Sequence, residues 1–579
     1  MTDKKNVFKF PPIATGMIDT FRQGYKFSDL KNDALAGLTI GTVAVPLSMA
    51  LAIATGVPPE HGLYTAIIAG AIIALTGGSR YNISGPTAAF VVILFPIVKD
   101  YGIGGLLLAT MMAGVILLLL GVAKMGQLIR FVPYPVVLGF TAGIALIIAI
   151  LQIPDFLGLR TGKLGDDFIE NIGIIASSFG TINPYELGVG LFTLIVLILW
   201  PKFKIPLPAP LVGLIVGAVA AYFINKGIGG ADIQTIASRF TWKADGIEGT
   251  GIPPIPPTLI MPWALPGPDG QPLEITFKLI HTLIGPAFAI ATLGAIESLL
   301  CAVIADELTH TKHNPNAELI GQGLGNIIAP LFGGITATAA IARTATSVRS
   351  GAKSPIAGII HSIFVLLAVV LFAGLLGYVP MASLGALLFI VAWNMSEAHH
   401  CLKIIKTSPR GDVMILLACF GLTIIFDMVV AVAVGVALSA TLFISHMTQA
   451  FQARKVERHP EMDDVYDHVN IFDINGPLFF GVSEKILTSL RSDETHLKKI
   501  FIIDMHDVIS IDATTISGLQ SIYAQLRAND QSLIIVGAST KIIMALRRAG
   551  LYSVRGQLAY CSNFQFTNNV VKRWLEIPS

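Results

Sequence analysis

The sequence predicts an α-helical polytopic membrane protein of fourteen segments, arranged as seven plus seven inverted repeats and followed by a small cytosolic α/β domain. Three observations carry that expectation. Of 579 residues, 53% are hydrophobic and 13% charged, and the mean hydropathy is +0.71, whereas roughly 25% of a soluble protein is charged. The charge is uneven: 38 Asp, Glu, Lys and Arg fall in residues 34–450 and 28 in residues 451–579. Finally, two short apolar stretches broken by Gly or Pro stand at matching places in the two halves of the hydrophobic part. This balance excludes an ordinary soluble enzyme, a disordered chain and a nucleic-acid binder.

Residues 1–33 are polar and carry Lys4, Lys5, Lys9, Arg22, Lys26 and Lys31. They lack the apolar core and small-residue cleavage site of a signal peptide, so the first membrane helix is expected to be retained. The membrane domain is expected over 34–450, a linker over 451–461 and the soluble domain over 462–579. Cys301, Cys401, Cys419 and Cys561 stand far apart without a Cys-x-x-Cys pair, which disfavours a disulfide scaffold, a zinc site or a redox motif. No metal or cofactor is expected.

Apolar stretches begin near 34, 61, 86, 103, 128, 186, 209, 281, 317, 339, 355, 382, 412 and 429. Those after Gly85-Pro86 and after Ala339 are too short to cross a hydrocarbon core, which takes about 20 helical residues. The first segments of the two halves are offset by 247 residues and the two short segments by 253. Short, interrupted segments at corresponding positions point to the substrate site of a transporter built from inverted repeats.

Basic residues in short loops orient the chain. With the N-terminus inside, loops after even segments should be basic, and they carry Lys124 and Arg130, Lys202 and Lys204, and Lys403, Lys406 and Arg410. The long loops near 154–185 and 225–280 hold Asp155, Asp166, Asp167, Glu170, Asp232, Asp245, Glu248 and Asp269 and are expected outside. An even number of crossings returns the C-terminal domain to the cytoplasm. There the periodicity predicts strands at 469–478, 499–505 and 532–536, with helices at 514–527 and 540–549.

The run Asp504-Met505-His506-Asp507-Val508, followed by Ile511-Asp512-Ala513-Thr514-Thr515-Ile516-Ser517-Gly518-Leu519, resembles the STAS domain. Joined to Val45-Pro46, to Ile83-Ser84-Gly85-Pro86-Thr87-Ala88 and to Gly333-Gly334-Ile335-Thr336 through Ala342-Arg343-Thr344-Ala345, it resembles the SulP/SLC26 anion transporters over essentially the full length. The runs LTGGSRYNISGPTAAFVVIL, LGAIESLLCAV, ELIGQGLGNIIAPLFGGITATAAIAR and VAWNMSEAH are most similar to its enterobacterial C4-dicarboxylate transporters. The resemblance implies a core and gate of the UraA/SLC26 kind, a homodimer and an acidic residue at position 297 facing the transport site. Two departures from the family pattern stand out. Pro46 is followed by Leu47 and Ser48 rather than Gln and a small residue, and Leu51 replaces a common Tyr. Both favour a more apolar substrate, such as a carbon-chain carboxylate.

The residues themselves support an anion site. A chain that breaks at Ser84-Gly85-Pro86 and starts a helix at Thr87-Ala88 presents free N–H groups and a positive dipole end. Proline suits a first helical turn. Thr338, Ala339, Ala340 and Ala342 are small enough to admit a ligand at a second helix start, although small residues also simply pack helices in lipid. Arg343, one turn further on, is a charge at membrane depth and so a functional candidate; its plainer role is pairing with Glu297 or a backbone carbonyl. Glu297 interrupts an apolar segment, where a carboxyl resists ionising, and is a candidate proton carrier. Gln322 is placed to bond substrate or Glu297, or to pack helices. His310, His313, His399 and His400 read as solvated, and Asp427 as a turn at the outer surface. Asp512 and Thr514 mark a possible regulatory position of the STAS-like domain, where Thr514 matches a residue phosphorylated in some soluble relatives; an N-cap or buried hydroxyl is its plainer role.

The expectation is a secondary transporter in the bacterial inner membrane that carries C4-dicarboxylates with H⁺ by alternating access. The N-terminus and the STAS-like domain are placed in the cytoplasm. Alternatives are a Na⁺-coupled bicarbonate or sulfate transporter, an anion channel and an anion-sensing receptor. The basic run Lys541, Arg547, Arg548, Arg555, Lys572 and Arg573 adds a possible acidic cytosolic partner such as acyl carrier protein.

Overall fold

The structure is a computed structural model, and it describes residues 12–127, 132–162, 165, 168–203, 205, 207–228, 230–244, 246–267, 269–426, 428–450, 452–456, 459–475 and 498–576. Lys4, Lys5, Lys9, Arg130, Asp166, Asp167, Lys204, Asp245 and Asp427 lie outside the described residues. The chain divides into two compact units, Met1–Val436 and Ala437–Ser579.

In the first unit the principal helices are α1 (Phe27–Ala54), α2 (Pro59–Thr76), α3 (Val91–Val122), α4 (Tyr134–Leu151), α5 (Pro184–Leu199), α6 (Ala209–Gly227), α7 (Phe277–Thr309), α8 (Pro315–Ile328), α9 (Ile341–Arg349), α10 (Ile356–Leu376), α11 (Met381–Ser396) and α12 (Arg410–Ile425). Helix α13 (Met428–Ala450) runs on into the second unit. Prolines sit in the first turn of α2, α4, α5, α6 and α8, where no intrahelical N–H is lost. Among the described residues, eight helical stretches are long and apolar enough to cross a membrane. Helix α3 holds two of the expected segments, because Gly102 adopts φ +68° and breaks it beside the expected start at 103.

The helices pack as two bundles. One joins α1, α2, α3, α7, α8, α9 and α10; the other joins α4, α5, α6, α11 and α12. Exchanging the two halves of the chain maps the packing of α1 on α10 onto that of α7 on α3. It likewise maps α2 on α10 onto α8 on α3, and α4 on α12 onto α11 on α5. This pairwise exchange is the signature of seven plus seven repeats.

Strand β1 (Ser84–Gly85) crosses antiparallel to a strand of the other half, Thr338–Ala339. Between them in sequence, β2 (Thr241–Ala244) and β3 (Ile247–Thr250) form a hairpin in the second long loop; Thr338–Ala339 is therefore β4.

The second unit is a five-stranded sheet in the order β5 (Gln452–Val456), β6 (Val469–Asn475), β7 (Ile500–Asp504), β8 (Ser532–Val536) and β9 (Leu558–Cys561). Strands β6 to β9 are parallel and β5 is antiparallel to β6. Helices α14 (Ala513–Ala528) and α15 (Thr540–Arg548) cover one face and α16 (Phe564–Trp574) the other. Side chains alternate along a strand. Phe501, Ile503, Leu533 and Ile535 therefore pack with Leu519, Ile522, Ile542 and Leu546, while Ile500, Ile502, Ile534 and Val536 pack with Phe564 and Val571. Burial on both faces is why these strands read as unbroken apolar runs.

The second unit departs from the expectation at one strand and adds one helix. Residues 452–456, expected within the linker, form β5. The expected strand 469–478 is a strand to Asn475, and its last three residues lie outside the described ones. Beyond the helix at 540–548 a further helix, α16, carries Lys572 and Arg573.

Candidate functional site

The site is built where β1 meets β4. The Ser84↔Ala339 and Gly85↔Thr338 pairs are extended by Ala340, whose N–H donates to the Ile83 carbonyl at 3.2 Å, and by Ile83, whose N–H donates to Thr344 Oγ1 at 3.2 Å. Beyond each strand the chain turns into a helix. Extended Thr87 leads into a 3₁₀ turn at Ala88–Phe90 and then α3; extended Ala340 leads into α9. Neither start is capped by a side chain. Two uncapped helix starts, one from each half, thus leave a hydrogen-bonded pair of strands, and such ends attract negative charge.

All of Ser84, Gly85, Pro86, Thr87, Ala88, Thr338 and Ala339 are buried; Ala340 is half-buried and Ala342 exposed at the first turn of α9. Arg343 is 3% exposed, and its Nη2 donates to the Pro86 carbonyl at 2.7 Å. Its Nε and Nη1 have no hydrogen-bond partner among the described residues, so a buried cation stands beside the helix starts with donors to spare. A Cβ at position 85 would lie 2.5 Å from Arg343 Nη1, which is why this close approach takes glycine.

Helix α7 flanks the strands with one face. Gly294, Glu297, Ser298 and Cys301 recur at the spacing of neighbouring turns. Thr338 Oγ1 donates to the Gly294 carbonyl at 3.0 Å, Cys301 Sγ to the Ala339 carbonyl at 3.4 Å, and Thr87 Oγ1 to Glu297 Oε2 at 3.1 Å. Of the two plainer roles expected for Arg343, the structure shows the backbone carbonyl.

Gln322 does not bond Glu297. Its Nε2 donates to Ser84 Oγ at 3.1 Å, Ser298 Oγ at 2.9 Å and Glu318 Oε1 at 3.3 Å. Glu318 is the residue that sequence reasoning missed. It is 1% exposed and also accepts from the backbone N–H of Gly78 (3.0 Å) and Ser79 (2.9 Å), from Asn82 Nδ2 (2.8 Å) and from Ser298 Oγ (2.7 Å). One carboxylate thereby ties α8 to the loop that enters β1 and to the residue next to Glu297.

A cavity of about 530 Å³ lies between the two bundles, along the short helix that starts at this site. Its lining includes Val92, Pro96, Tyr101, Ile147, Pro286 and Phe426. A larger one of about 660 Å³, between α1, α6 and α10, is lined by apolar side chains such as Val45, Phe223 and Phe372 and does not reach the site.

The remaining candidates are scattered. His310, His399 and His400 are exposed, the last paired with Glu397 at 2.9 Å. His313 is not solvated: it is buried, with Nδ1 2.7 Å from Asp306 Oδ2. In the second unit Asp512 caps α14, accepting from the Thr515 N–H at 2.8 Å. Thr514 is therefore neither the cap nor a buried hydroxyl, and its side chain is exposed. Lys541, Arg547, Arg548, Arg555 and Arg573 are exposed, while Lys572 pairs with Asp464 at 2.9 Å. His506 Nδ1 lies 2.5 Å from Asp504 Oδ1, and that hydrogen bond raises the imidazole above its ordinary pKa.

Two family models match the chain: the sulfate permease family over residues 30–419 and the STAS domain over residues 461–559. The putative sulfate transporter YvdB of Bacillus subtilis (strain 168) is 39% identical over 538 residues, covering 92% of this chain and 96% of that protein. The bicarbonate transporter BicA of Picosynechococcus sp. is 30% identical over 556 residues, covering 91% and 92%. Among solved structures, the transmembrane domain of a cyanobacterium bicarbonate transporter BicA matches with a TM-score of 0.59 at 26% identity, covering 72% of this chain and 98% of that one. The overall structure of SLC26A9 matches with a TM-score of 0.81 at 17% identity, covering 97% and 93%, a likeness of fold.

Proposed function

The chain belongs to the sulfate permease family, and from that premise we propose that it is an H⁺-coupled secondary transporter of C4-dicarboxylates, the class of succinate, fumarate and aspartate. It is a multi-pass membrane protein that transports anions, and it is not an enzyme. The observation that carries the proposal is the β1–β4 pair, which sets two uncapped helix starts and Arg343 against one another. The anion lies between Ser84–Ala88 and Thr338–Arg343, bound by backbone N–H groups and the spare donors of Arg343. Glu297, held by Thr87 at the first helix start, carries the proton, and Gln322 positions Ser84. Alternating access moves the bundle that carries the site against the other bundle, across the 530 Å³ cavity that lies between them. The apolar Leu47 and Leu51 favour a carbon-chain substrate over sulfate.

The basic loop residues support a bacterial inner-membrane location with the N-terminus and the STAS domain in the cytoplasm, and the family resemblance supports a homodimer. The domain bounds proposed are 1–33, 34–450 and 462–579, and within the stretch 451–461 between the last two, β5 (Gln452–Val456) joins the sheet of the second unit. The exposed cluster Lys541, Arg547, Arg548 and Arg555 supports docking of an acidic protein such as acyl carrier protein.

A second reading is Na⁺-coupled bicarbonate or sulfate transport, and the two relatives favour its anions but say nothing of its coupling ion. Counterflow in proteoliposomes with a panel of anions separates the readings. Exchange of labelled succinate, accelerated by an inward proton gradient, is expected; exchange of bicarbonate or sulfate alone, driven by Na⁺, would sink the first reading. Unitary currents would mark a channel.

A further inference from the structure

We propose that the short helix Thr15–Arg22 is an interfacial anchor: it seats on the headgroup boundary of the leaflet in which α1 begins, and from there it holds the loop Thr76–Arg80 that leads into the site. The helix, TGMIDTFR, has two unlike faces. Gly16 and Thr20, one turn apart, are buried against the protein, whereas Ile18 and Phe21 are 42% and 58% exposed. Phe27, at the start of α1, is 84% exposed, and the charges of Arg22 and Lys26 lie between it and Phe21. An exposed apolar stripe flanked by basic side chains is the pattern of a helix lying in the plane of a membrane surface.

Reach decides what covers the stripe. Eight helical residues span about 12 Å, far too few to cross the bilayer. Only four residues separate Arg22 from Phe27, at most about 18 Å from one to the other in extended chain, so the helix stays where α1 enters the lipid. Leaving the exposed parts of Ile18 and Phe21 in water would forgo the favourable transfer of that apolar surface into lipid. The bilayer surface lies within reach of both side chains.

The inner face binds the loop. The Ala14 N–H donates to the Thr76 carbonyl at 2.7 Å and the Gly16 N–H to the Gly77 carbonyl at 3.3 Å. Arg80 Nη1 donates to Gln23 Oε1 at 2.6 Å, and a Cβ on Gly16 would lie 2.6 Å from the Ser79 carbonyl oxygen. From the other side Glu318 accepts from Gly78 and Ser79. The loop is thus held between a lipid-seated helix and the carboxylate that also bonds Asn82, two residues before β1. Loss of the seat would loosen the approach to Ser84 while leaving the membrane helices in place.

The test uses the full chain in phosphatidylglycerol–phosphatidylcholine vesicles. With Phe21→Trp, the emission added over the unsubstituted protein should be quenched by lipids brominated near the headgroup end of the acyl chain and shielded from aqueous iodide. Absence of lipid quenching would overturn the seat, whether iodide reaches the side chain, as it would in water, or does not, as it would under another protein. Ile18→Asp with Phe21→Ser should lower anion counterflow about threefold or more with unchanged thermal stability; unchanged counterflow would overturn the holding role. The quenching readout involves no substrate, so it stands or falls separately from the proposed transport activity.

Discussion

Arg343 of the second repeat donates to the Pro86 carbonyl of the first at 2.7 Å, a bond between residues 257 apart in sequence. The space for it is made by Gly85, where a Cβ would lie 2.5 Å from the guanidinium. Gly85→Ala is therefore expected to push Arg343 off the carbonyl and weaken anion binding about tenfold, or ~1.4 kcal/mol, in protein that still folds. The half-saturating concentration in proteoliposome uptake checks this; an unchanged value would remove Arg343 from the site.

Glu297→Gln keeps the shape of the protonated acid but cannot release a proton. Uptake driven by an inward proton gradient should disappear, exchange of internal for external anion should persist, and exchange should lose its dependence on pH. Accumulation by the variant with the parent's pH profile would assign coupling elsewhere.

Glu318→Ala strips acceptors from the buried N–H groups of Gly78 and Ser79 and from three side chains. Each unsatisfied buried donor costs about 1–3 kcal/mol, so the variant should unfold at clearly lower temperature in detergent, whereas Glu297→Gln should change stability little. Equal midpoints for the two variants would contradict the role given to Glu318.

His506 titrates above its ordinary value because of Asp504. A group whose pKa is raised on folding adds stability that is complete below the unfolded value, about 6.5, and is lost as pH rises through the folded one. Thermal unfolding of the STAS domain within the full chain, followed from pH 5 to 9, should show His506→Gln less stable than the parent in acid and equal to it in alkali. A constant difference would assign His506 a packing role alone.

If the exposed basic cluster docks an acidic partner, acyl carrier protein should be retained by the immobilised full chain at low salt and released as salt screens the contact. Arg547→Glu with Arg548→Glu should abolish retention; retention indifferent to both would place the contact elsewhere.

The two helix starts were legible because Gly85-Pro86 and the small residues from Thr338 to Ala342 punctuate apolar runs at matching positions. The strands joining them were not, since two residues carry no alternation and the partner is a repeat away. Glu318 escaped because an acid three residues after Pro315 reads as a first-turn complement to the helix dipole; only the fold brings Gly78 and Ser79 onto it. His313 lies in a polar loop, and nothing local announces that Asp306 would bury it. Strand β5 is an edge strand, and its sequence QARKV has the charged character such strands carry, so it resembled a linker. The Asn- and Val-containing run of α16 is poor in strong helix formers and is helical through Phe564 and Val571 in the core.

The crossing of Ser84 with Ala339 also fixes when the site can exist during synthesis. At roughly 5–20 residues per second, the ribosome needs on the order of 13–50 s to pass from one strand to the other. Throughout that interval the Ile83 carbonyl and the strand after it lack the partners that the second half supplies. A nascent chain carrying only its first half is therefore an incomplete sheet in lipid, open to wrong partners and dependent on its own second half to close it. Two separately expressed halves should become competent only when made together.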